Sequence, residues 1–168
     1  MRKIWLDNDP GFDDWFAMAM LAAADSGPHA RFADCPPEGL SASSGSRATL
    51  PDDRWLGTSV VAGNAPLALT WRNARRIAAF HGLDVPLFAG CDAPLVAPLV
   101  TGHDVLGAEG MRTHGEPLPA VAGEDERPAM HGVDALIDAV LRAPGQITIV
   151  AIGPLTNIAV ALQREPTF

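Results

Sequence analysis

Three short apolar runs, each closed by a tight polar turn and followed by a helical spacing, commit this chain to alternating strands and helices. Lys3-Ile4-Trp5-Leu6 is the first; Asp7-Asn8-Asp9-Pro10-Gly11 ends it, because Pro and Gly impose a turn. Asp13 and Asp14 then lead an apolar helical segment from Trp15 to Ala24, and acidic residues in a first turn suit the helix dipole. Thr58-Ser59-Val60-Val61 is the second run, followed by Ala62-Gly63-Asn64 and a helix over 67–81 with Arg72, Arg75 and Arg76 on its polar side. The third lies in 146–152, around Ile147-Thr148-Ile149-Val150-Ala151; Gly153-Pro154-Leu155-Thr156-Asn157 turns it into a helix over 158–162. A further strand is predicted over 85–89 and an amphipathic helix over 133–141, with 90–130 mostly loop. Such alternation predicts a Rossmann-like α/β fold, a parallel sheet flanked by helices. Ligands of such sheets sit beyond the carboxyl ends of the strands. Three strand ends here carry polar turns: 7–14, 62–64 and 153–157.

At 168 residues, 48% of them hydrophobic, the chain suits one domain with a real core. Residues 25–57 break the pattern: thirteen of these thirty-three are Gly, Pro or Ser, which predicts a flexible insertion within the domain. Twelve Lys and Arg against twenty Asp and Glu give a net charge of −8. That balance argues against a nucleic-acid partner, which needs a cationic face. The apolar run 15–24 is too short to span a bilayer, and Asp7 interrupts the N-terminal run before a signal core forms. Cys35 and Cys91 read as reduced thiols, and a cytoplasmic setting is expected. Trp5, Trp15, Trp55 and Trp71 are assigned to packing, and His29, His81 and His114 to solvent.

Asp7, Asp9, Asp13 and Asp14 fall within eight residues at a strand-to-helix junction. Carboxylates gathered so closely repel unless something neutralises them, and an all-oxygen donor set selects Ca²⁺ or Mg²⁺ over zinc. The alternative is one helix-capping aspartate with the others solvated. Asp-x-Asp also occurs in phosphatases that form an aspartyl-phosphate, but these want a downstream lysine, and Lys3, the single lysine, lies upstream. There is no Walker loop, Cys-x-x-Cys or His-Glu-x-x-His.

The octapeptide Asp7-Asn8-Asp9-Pro10-Gly11-Phe12-Asp13-Asp14 resembles the N-terminal signature of the inosine–uridine nucleoside hydrolases, Asp-x-Asp-Pro-Gly-x-Asp-Asp. Val60-Val61-Ala62-Gly63-Asn64, the 85–95 segment and Ile149 to Ala159 are similar to later family stretches, in the same order. The resemblance implies cleavage of the N-glycosidic bond of ribonucleosides to ribose and a free base. It implies Ca²⁺ held by Asp9, Asp14 and the backbone carbonyl of Thr156, with Asp9 as general base toward a calcium-bound water. It implies that Asp13 and Asn64 bind ribose hydroxyls. Asp7 is assigned to bonding nearby backbone N–H groups. Family members are substantially longer; the remainder supplies a further Asp to the metal, other ribose-binding residues and usually a His that protonates the departing base. The 101–111 segment departs from the family pattern, so His103 is assigned to a loop without catalytic role, and His131 to a helix start.

A sheet cut short in this way would expose an edge and an apolar face, with instability, pairing of two copies, or origin as a fragment of a longer chain as its consequences. The rival readings are therefore a remnant that binds cation or ribose without turnover and, less favoured, the aspartyl-phosphate phosphatase.

Overall fold

The computed structural model describes residues 3–25, 54–111 and 118–168. His29, Cys35, His114 and most of the predicted insertion lie outside the described residues. Among the described residues nine elements follow one another: β1 (Lys3–Asn8), α1 (Phe12–Asp25), β2 (Arg54–Val60), α2 (Leu67–His81), β3 (Leu87–Ala89), α3 (His103–Leu106), α4 (Gly132–Arg142), β4 (Ile147–Ala151) and α5 (Thr156–Arg164). The four strands form one parallel sheet in the order β3-β2-β1-β4. The α/β class predicted from alternation is the class observed.

The faces of β1 explain the layers, because successive side chains point to opposite sides of a strand. Trp5 faces α4 and α5, packing with Val133, Leu136 and Ala161. Leu6 faces the other way, against Met18 of α1 and Ile77 of α2. A third cluster joins Val60 and Ala89 of the sheet to Leu67, Trp71 and Ala74 of α2. Trp5, Trp55 and Trp71 are buried in these layers and Trp15 is half-buried, which fits their assignment to packing.

Several boundaries differ from those read off the sequence. β2 begins at Arg54, inside the stretch assigned to the insertion, because Arg54, Trp55, Gly57 and Thr58 pair with β1, the register skipping Leu56. The glycine is needed there: a Cβ on Gly57 would stand 2.9 Å from the Trp5 ring. Strand β3 begins at Leu87 rather than 85; Pro86 lacks an N–H and contributes only its carbonyl, to Thr58 N at 2.9 Å. Helix α5 begins at Thr156, so that residue opens a helix instead of ending a turn. His81 is half-buried, contrary to its assignment to solvent: its Nε2 accepts from Trp15 Nε1 at 2.7 Å, tying α1 to α2.

The strand order sets the position of the site. From β1 the chain steps to β2 and β3 on one side, then crosses back through α4 to β4 on the other side of β1. Connections therefore leave β1 and β4 in opposite directions, and a crevice opens between them at the carboxyl ends of the strands. Among the described strands β4 is an edge; Thr148 on it and Ile152 and Leu155 just beyond it are exposed.

Candidate active site

The octapeptide occupies that crevice. Backbone geometry carries it there: Val61 N donates to Asn8 O and Ile152 N to Asp7 O, both at 2.9 Å, clamping the end of β1 between its neighbours. Gly11 opens α1, since its carbonyl accepts from Trp15 N at 3.1 Å. Asp14 reaches back to accept from Gly11 N at 3.0 Å, one half of a capping box.

Asp9 lies where three strand ends meet. A Cβ on Gly63, beyond β2, would come 2.1 Å from Asp9 Oδ2, and one on Gly153, beyond β4, 2.8 Å from Asp9 Oδ1. Only glycine at both positions leaves room for the carboxylate. Asn64 joins this carboxylate to that of Asp14: its backbone N donates to Asp9 Oδ2 at 2.7 Å, and its Nδ2 to Asp9 O at 2.9 Å and to Asp14 Oδ2 at 3.3 Å. The Asn64 amide nitrogen is thus committed to the octapeptide. Asp13, in the first turn of α1, is exposed. Thr156 is half-buried three residues past Gly153, with its N–H given to Pro154 O at 2.8 Å.

Asp7 has a different environment from the one assigned to it. Its partners are side chains, not nearby backbone N–H groups: Oδ1 accepts from Ser59 Oγ and, at 2.8 Å, from Asn157 Nδ2. Asn157 in turn accepts from Cys91 N at 2.8 Å, and Trp5 Nε1 donates to Ser59 Oγ at 3.0 Å. One buried carboxylate therefore ties β1 to β2, to the turn after β3 and to the helix after β4. The sequence signal for this role, Ser59 at a buried strand position and Asn157 in the turn, was present but had no local partner. Cys91 is a free thiol. His131 caps α4 through Nδ1, which accepts from Val133 N at 3.2 Å, and His103 is exposed in the short α3; neither is drawn into the carboxylate cluster.

Burial disfavours the charged form of these acids. It lifts Asp7 to about 6, Asp9 to about 7 and Asp14 to about 6, with repulsion from neighbouring aspartates adding to the rise for Asp9 and Asp14. Asp14 Oδ1 and Asp7 Oδ2 are buried without a hydrogen-bond partner, as are both polar atoms of the Asn8 side chain. An all-oxygen face with an unpartnered carboxylate oxygen suits a hard cation. The set is incomplete: among the described residues, no three His, Cys, Asp or Glu side chains gather closely enough to hold a metal ion. Lys3 bonds Gln146 at 2.9 Å at the opposite end of β1, where it cannot serve an aspartyl-phosphate.

A pH dependence follows. Groups whose folded pKa is raised stabilise the fold below their unfolded value near 3.8 and lose that contribution as pH rises through about 6 to 7. Burial lowers His81 from 6.5, so its contribution runs the other way and is lost as pH falls below that value. Three carboxylates outweigh one imidazole. With EDTA present, the melting temperature should fall by several degrees between pH 5 and pH 8; a flat or rising profile would contradict the burial of these acids.

A family model described as inosine-uridine preferring nucleoside hydrolase matches residues 47–168. The chain is 36% identical over 167 residues to the inosine-uridine preferring nucleoside hydrolase of Crithidia fasciculata, an alignment covering 98% of this chain and 44% of that one. It is 31% identical over 165 residues to the pyrimidine-specific ribonucleoside hydrolase of Escherichia coli O9:H4, covering 98% and 43%. A solved plant nucleoside hydrolase superposes with a TM-score of 0.72 at 27% identity, over 99% of this chain and 44% of that one. The chain spans less than half the length of the curated relatives it matches. No described helix is long and apolar enough to cross a membrane. The strand order, the acidic turn at the switch point and these similarities agree: the chain belongs to the inosine-uridine preferring nucleoside hydrolase family.

Proposed function

We propose that this chain carries the metal- and ribose-binding half of a ribonucleoside N-glycosidase, which releases ribose and a free base. The observation that supports the reading most strongly is the junction of Asp9 and Asp14 through Asn64 at the switch point, with Asp14 Oδ1 buried and unpartnered. Asp9, Asp14 and the Thr156 carbonyl would hold calcium, which when bound orients water and sugar oxygens and makes the water more acidic. Asp9 takes the proton of the attacking water as oxygen adds to the anomeric carbon. The C–N bond breaks with its electron pair leaving on the base, and the carboxylates favour the positive charge that builds on the sugar. Asp13 and Asn64 Oδ1 hold ribose hydroxyls, so that the sugar is oriented before the bond breaks. A cytoplasmic role in nucleoside salvage and breakdown goes with this reading; the free thiol of Cys91 accords with it.

A second reading, cation or ribose binding without turnover, is favoured by one observation: the described residues lack a third ligating side chain. Ribose release from inosine and from uridine separates the two. Turnover that drops by about 10²–10⁴-fold in Asp9→Asn supports the hydrolase. Calcium or ribose binding by titration calorimetry without product supports the remnant. Product formation unchanged in Asp9→Asn would remove Asp9 from the mechanism.

A further inference from the structure

We propose a second ligand site, for a small amphipathic anion, in the open cavity between the second half of α2, the start of β3 and the 121–128 segment. The cavity measures about 540 Å³ and lies toward the amino ends of the strands, away from Asp9. Apolar side chains line part of it, Ala78, Leu83, Leu87 and Val121 among them, but polar atoms make up the larger share of its exposed lining, and two arginines, Arg75 and Arg127, and Glu126 supply its charge.

The arginines of α2 are treated unequally. Arg76 forms a two-pronged pair with Glu124, Nε at 2.8 Å and Nη2 at 2.7 Å, and Arg72 holds Asp125 at 2.9 Å. Arg75, between them in sequence and half-buried, has no ion pair among the described residues, and neither has Arg127. Glu126 also lines the cavity but forms no ion pair with either arginine among the described residues; its carboxylate lies over Gly123, where an added Cβ would stand 3.0 Å from its Cδ. Its backbone carbonyl accepts from Trp71 Nε1 at 3.0 Å, which fixes the segment against α2. A guanidinium stays charged and matches a carboxylate or phosphate with paired donors. Half-buried Arg75 and exposed Arg127, neither in an ion pair among the described residues, outnumber the one carboxylate of the cavity and stand beside apolar side chains; in a chain of net charge −8 they form a local exception that a monoanion with an apolar body would satisfy. The site is independent of the hydrolytic chemistry.

Calorimetric titration of the whole chain with octanoate, octanol and inorganic phosphate tests the assignment. Octanoate should bind at least tenfold more tightly than octanol and than phosphate. The Arg75→Gln/Arg127→Gln double variant, checked for its fold by circular dichroism, should bind octanoate and octanol alike. Phe16→Ser, which removes an exposed apolar residue of α1, should keep the preference. Equal binding of octanoate and octanol, tighter binding of phosphate alone, no binding of octanoate, or an undiminished preference in the double variant would overturn the proposal.

Discussion

Asp7→Ala should lower the stability of the fold by about 3 kcal/mol, whereas Asp7→Asn should leave it unchanged at pH 5 and raise it at pH 8. The alanine removes the acceptor that Ser59 and Asn157 share. Both residues are fully buried, so their donors are left in an apolar surrounding that water does not reach. Each such orphan costs about 1–3 kcal/mol. Asparagine keeps the acceptor in place and removes the charge. Because burial lifts the Asp7 carboxyl to about 6, the wild-type protein carries an ionised, desolvated group at pH 8 and a protonated one at pH 5. Urea unfolding at the two pH values reads the difference. Equal damage from alanine and asparagine at both would mean that the charge itself, not the acceptor, holds the strand ends together.

Chemistry contiguous in the chain was legible in the sequence, and chemistry assembled across it was not. The octapeptide announced a strand, a turn and a capped helix, because Pro10-Gly11 and the two following aspartates act within one turn. The same local logic placed α2 over 67–81 and β4 within 146–152. Ser59 and Asn157 lie 52 and 150 residues from Asp7, so no local spacing could join them. His81 read as a solvated residue at the end of a helix because its partner, Trp15, is 66 residues away. Gly57 made the start of β2 resemble loop, although its lack of a side chain is what admits the Trp5 ring. Gly63 and Gly153 read as turn residues; that both also clear space for one carboxylate is visible only after the sheet has brought the ends of β2 and β4 beside β1. Asn64 was singled out for sugar, yet its amide nitrogen is spent on the aspartates, a role that depends on the same closure.

This division also explains what the family resemblance adds. A motif states which residue types occur at a site, whereas the fold states how each is held. Asp14 illustrates the point: one oxygen completes a helix cap and meets Asn64, and the other is left without a partner. A purely structural cap would need only the first. Asp9 and Asp14, buried acids raised toward neutrality, are a cost to the isolated chain that a bound cation would relieve.

Thermal unfolding at pH 7.5 with and without Ca²⁺ therefore bears most directly on the central claim, that the aspartates of the first turn form a seat for a hard cation. At a free concentration a hundred times the dissociation constant, a cation that binds only the folded chain adds about 2.7 kcal/mol. For a domain of this size each kcal/mol is worth roughly 2–4 °C, so Ca²⁺ should raise the midpoint by roughly 5–10 °C. The rise should vanish in Asp9→Asn and in Asp14→Asn and survive in Asp7→Asn, which lies outside the proposed ligand set. A midpoint that does not respond to Ca²⁺, or one that rises as much in Asp9→Asn and Asp14→Asn as in the wild-type chain, would contradict the account.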